Sequence, residues 1–119
     1  NYANLTNIKL KDLAIHIKNK ISVFGQDGVI VIGDLDSNVN RLGIGTGAIT
    51  DIFEMSANGA DTCIVTDDGI NNWYSIQYGI DNSINLIIIN HAISEIPGII
   101  SLSRYLNELL PNIETIYLQ

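Results

Sequence analysis

The chain is poor in the residues that would signal an extracellular or membrane protein. It has one cysteine in 119 residues, Cys63, so no internal disulfide can form, and its place in the apolar run "CIV" reads as a small buried hydrophobe in a reducing, cytoplasmic setting. No apolar run approaches the roughly 20 residues a membrane span requires, and the opening residues lack the basic-then-apolar pattern of a secretory leader. Basic charge is scarce, with six Lys plus Arg against thirteen Asp plus Glu and a net charge of −7. A field of that sign repels a phosphate backbone, so nucleic acid is not expected as a partner, and the lack of a long apolar run gives the same expectation for a membrane.

What remains is aliphatic. Hydrophobic residues make up 46% of the chain and charged residues 16%, which suits strands covered on both faces or a surface that expects a partner. A chain this long has room for one domain over residues 1–119 and buries roughly 65% of its unfolded surface.

The hydrophobic pattern changes period along the chain. Leu10, Leu13, Ala14, Ile17 and Ile21 recur at helical spacing, so "LKDLAIHIKNKI" is an amphipathic helix with His16 on its polar side. "GQDG" is a turn, Val29 to Ile32 a short strand, and "DLDSNVN" a polar connection. From Arg41 the chain alternates: strand "RLGIG", a glycine-rich turn and helix through "TGAITDIFEMSANGA", strand "DTCIVT", helix "DDGINNWYSIQYG", strand "INLIIIN". A long helix through "SEIPGIISLSRYLNELL" stops at Pro111, and "IETIYL" reads as a last strand. This alternation predicts α/β architecture: three layers of βαβ units around a mainly parallel sheet.

In such sheets, chemistry gathers where strand ends lead into helix starts. Three loops stand there. Gly45, Thr46 and Gly47 lie in a stretch whose amides can approach a ligand closely, or which is simply a tight turn. It lacks the Lys-Ser/Thr ending of a phosphate-binding loop, which disfavours a nucleotide binder. Asp67 and Asp68 follow a buried strand and can cap a helix, ligate a hard cation or act as a base, with Trp73 and Tyr74 nearby as packing residues. His91 ends the most apolar strand, and Glu95 follows four residues later. One helical turn between them points both side chains at one spot, suiting a divalent metal; alternatively His91 satisfies a loop carbonyl and Glu95 is an acid of the helix's first turn.

The segments "GDLDSNVNRLGIGTGA", "GADTCIVTDD" and "INHAISEIPGI", in that order, resemble the C-terminal half of the NIF-three-like family, also called GTP cyclohydrolase I type 2 or dinuclear-metal-centre proteins. The resemblance runs from about residue 8 to the end. It implies a cytoplasmic α/β protein assembled as a hexamer, two metal ions per subunit, and metal-dependent hydrolysis. It maps a histidine and a glutamate ligand onto His91 and Glu95, for zinc, manganese or iron in a partial site, and it places Asp68 as base or as orienting group. Gly45, Thr46 and Gly47 would face the substrate. Asn72 stands where the family has a histidine, and Ala92 where it has an aromatic residue. The resemblance leaves the family's N-terminal half outside this chain, so the expected partner is that half or further copies of the chain. The other class of function is a non-catalytic assembly domain with a decayed metal site.

Overall fold

The computed structural model describes residues 1–70 and 73–118. Among them, five strands form one sheet in the order β1-β3-β4-β5-β2: β1 Tyr2–Lys9, β2 Ile30–Ile32, β3 Asn38–Ile44, β4 Thr62–Thr66 and β5 Asn85–Ile89. The centre is parallel. β3 runs beside β4 with Leu42 opposite Thr62, and β4 beside β5 with Thr66 opposite Ile89. The two edges, β1 on β3 and β2 on β5, are antiparallel.

The apolar runs of β4 and β5 are explained by helices on both faces. α1 (Leu10–Ile21) lays Leu10, Leu13 and Ala14 on one face, against Val39, Leu42 and Ile87. α2 (Ile52–Ala57) and α3 (Trp73–Asp81) cover the other, where Ile52, Met55 and Ile76 pack with Cys63, Val65, Leu86 and Ile88. Adjacent strand residues therefore serve opposite cores, as Leu86, Ile87 and Ile88 do in turn. The expected three-layer α/β arrangement is present.

Several elements differ from their expected form. β1 is an additional strand: its register slips between Asn4 and Ile8, and Asn7 there adopts a positive φ of 58°. β3 begins at Asn38, inside the segment expected to be a polar connection, because β1 supplies it with a partner. Residues 67–70 form a turn and α3 starts at Trp73, whose side chain is exposed rather than packed. α4 (His91–Leu109) starts at the histidine itself and continues through Pro97.

The last strand is absent among the described residues. The segment 113–118 instead lies along α4, where the Asn107 side chain accepts from Thr115 N and donates to Thr115 O. The reason is distance: α4 leads away from the sheet for about 28 Å at 1.5 Å per residue, and the short turn after it cannot return to a sheet edge.

Candidate metal centre

β4 and β5 end side by side, and the residues after them meet. The Asp67 N–H donates to Ile89 O at 3.0 Å, joining the turn after β4 to the end of β5. Asn90 has extended backbone and caps α4, its side chain accepting from Ile93 N at 3.3 Å. That starts the helix at His91 and puts Glu95 one turn on, on the same side.

His91 uses both ring nitrogens. Nδ1 lies 2.5 Å from Asp68 Oδ2, and Nε2 lies 3.0 Å from Glu95 Oε1. The other Asp68 oxygen accepts from the Thr66 hydroxyl at 2.8 Å. The Glu95 and Asp68 carboxylates hold the imidazole above its ordinary pKa. Burial pushes the Asp68 carboxyl up, but the hydrogen bonds from Thr66 and His91 and the imidazolium charge outweigh it and bring it below the ordinary value. His91 is half-buried and Glu95 exposed, so the pair opens to solvent.

The glycine loop after β3 closes one side. Gly47 is buried with a φ of +77°, and a Cβ there would stand 3.2 Å from His91 Nε2 and 4.0 Å from Glu95 Oε1. Its carbonyl is held by Thr50 through N–H and hydroxyl, at 3.1 and 2.8 Å. Gly45 plays a different part: its N–H donates to Ile64 O, and its bare Cα makes room for Met55 and Thr50. Thr46 is exposed between them.

His91, Glu95, Asp68 and Gly47 thus come together at the carboxyl ends of the parallel strands, while Gly45 faces a neighbouring part of the loop. Asn72 lies outside the described residues. The Asp67 carboxylate reaches across to the other strand end and accepts from the His91 amide, a contact that the 24-residue separation hid from the sequence pattern.

The Duf34/NIF3 (NGG1p interacting factor 3) family model matches residues 2–119. The chain belongs to that family. Its fold matches Staphylococcus aureus protein SA1388 with a TM-score of 0.71 at 23% identity, covering 99% of this chain and 34% of that one. A Bacillus cereus protein related to NIF3 matches with a TM-score of 0.74 at 19% identity, covering 99% and 33%. At these identities the likeness speaks for the fold. The chain spans about a third of the length of these solved structures. No curated protein matches it.

Tested as a candidate metal site, the arrangement supplies two donors. A nitrogen and a carboxylate oxygen 3.0 Å apart fit adjacent positions around one ion with bonds of about 2 Å. An Asp68 partner on the remote ring nitrogen is the support that metal-bound histidines ordinarily have. Among the described residues, no group of three or more His, Cys, Asp or Glu side chains could hold a metal ion by itself.

Proposed function

We propose that this chain is the C-terminal part of a metal-dependent hydrolase, contributing His91 and Glu95 to a divalent metal centre completed by the family's N-terminal half. The observation that supports it best is the 3.0 Å approach of His91 Nε2 to Glu95 Oε1, with Nδ1 already engaged by Asp68. Zinc, manganese and iron all suit an imidazole and a carboxylate. Such an ion supplies Lewis acidity, polarising a phosphoryl or ring substrate and acidifying water toward neutral pH.

The chain's own residues have distinct tasks in this reading. Asp68 keeps the proton on His91 Nδ1 and leaves Nε2 as the donor, fixing tautomer and ring plane. Both its oxygens are engaged, which favours orienting over proton abstraction from substrate. The 45–47 loop borders the substrate, with Gly47 leaving backbone alone beside the metal donors. Release of 4-nitrophenolate from 4-nitrophenyl phosphate, with manganese and the N-terminal half present, tests the role. The rate is expected to drop in His91→Ala by more than the roughly 10–100-fold that follows loss of a group merely supporting a ligand; an unchanged rate removes the proposal.

The alternative reading, an assembly domain, draws on a separate observation. α4 buries none of its residues, and Ile99, Leu102, Tyr105 and Leu109 are all about half exposed or more. Contiguous apolar surface of that kind marks an interaction site. The two readings are compatible if the partner on α4 is also the source of the missing metal donors.

A further inference from the structure

The metal donors sit on an element that the apolar core does not hold. No residue of α4 is fully buried, and in its first turn Ile93 and Ser94 are only partly covered. Polar contacts add to what holds that turn. Asp67 Oδ2 accepts from Asn90 Nδ2 at 3.0 Å, and Asp67 Oδ1 accepts from the His91 N–H at 3.1 Å and from the Asp68 N–H at 3.0 Å. From the opposite side, Gln26 Oε1 accepts the Asn90 N–H at 3.0 Å. The capping residue of α4 is therefore gripped by side chains from two loops, one of which also carries Asp68.

We propose that Asp67, acting through Asn90 and the His91 amide, is the positioning residue that aims α4 and so sets His91 against Glu95 and Asp68. This rests on the metal-donor reading of His91 and Glu95, and it assigns to Asp67 a task that helix capping does not include. Asp67 touches neither imidazole nor metal position. It acts because one carboxylate ties together the backbone of His91, the backbone of Asp68 and the cap of the helix that bears Glu95. The donor and acceptor sense is specific: at the Asp67–Asn90 contact a carboxylate oxygen faces an amide N–H.

That polarity allows the pair to be exchanged. Asp67→Asn sets amide against amide, and Asn90→Asp sets carboxylate against carboxylate while still able to cap Ile93. The double variant restores one donor and one acceptor with the roles reversed. Zinc affinity by calorimetry and hydrogen exchange at the His91 amide are the two readouts, taken on the chain with its N-terminal half.

Each single variant is expected to bind zinc about tenfold more weakly and to exchange the His91 amide faster. The double variant should regain both properties. Single variants that match wild type in both readouts would overturn the proposal, as would a double variant no better than the singles. Absence of zinc binding in the wild type would instead defeat the metal reading, and the exchange data would still decide whether the Asp67–Asn90 contact positions His91.

Discussion

His91 has two carboxylate neighbours, and the two were legible to different degrees. Glu95 follows it by four residues, a spacing that helical geometry brings to one face. Asp68 is 23 residues away, and only the shared carboxyl edge of β4 and β5 makes them neighbours. Residue spacing alone did not separate Asp67 from Asp68; the family resemblance singled out Asp68, and Asp68 is the one whose carboxylate meets the ring. Gly47 is the residue that leaves room for the group. In Gly47→Ala the positive φ alone costs about 1–2 kcal/mol, and the new methyl presses on His91 Nε2. Urea unfolding should show that loss together with weaker metal binding; wild-type stability would contradict the tight fit. Cys63, by contrast, is a core residue whose thiol is pushed up to about 11, by burial first and then by the charge of Asp61. The neutral thiol is thus favoured in the folded state, a contribution complete below the unfolded thiol's pKa of about 8.5 and lost as pH rises through the folded value. At pH 8 a disulfide reagent should leave Cys63 unmodified in the native chain and modify it fully in urea. Rapid native reaction would contradict its burial.

At the scale of elements, the sequence spoke clearly where both faces of a strand or one face of a helix are covered. α1, β4 and β5 have that property and appear where their patterns put them. β1 does not: "YANLTNIK" carries asparagines on a slipped edge strand, and its conformation depends on pairing with β3, which begins at Asn38. The tail "IETIYL" fails the opposite way, having strand composition but no edge within reach after α4. α2 is only six residues long and relies on its cap, with Asp51 accepting from Phe53 N at 2.8 Å and Glu54 N at 3.1 Å. Asp51→Ala should lower stability by about 1 kcal/mol in denaturant unfolding. An unchanged midpoint would mean that packing of Ile52 and Met55 holds the helix unaided.

The whole molecule is elongated, 53 × 27 × 24 Å, with α4 and its tail extending from the layered body. No helix among the described residues is long and apolar enough to cross a membrane. The proposed cover of α4 by protein can be tested on its exposed side chains. Tyr105 and Leu109 lie one turn apart on α4, each 58% exposed. Tyr105→Glu with Leu109→Glu should weaken association with the N-terminal half, seen by size exclusion, while the thermal midpoint of the isolated chain stays near wild type. Undiminished association would place the contact elsewhere.

In the function proposed above, a shared metal centre would unite these scales: His91 and Glu95 aimed by the Asp67–Asn90 contact, carried on α4 and completed by donors from the other half. The most direct measurement is metal content by mass spectrometry after dialysis against zinc and manganese, on wild type and His91→Ala, each with the N-terminal half. The account predicts stoichiometric metal in the wild type and marked loss in the variant. Equal metal in both, or none in either, would contradict it.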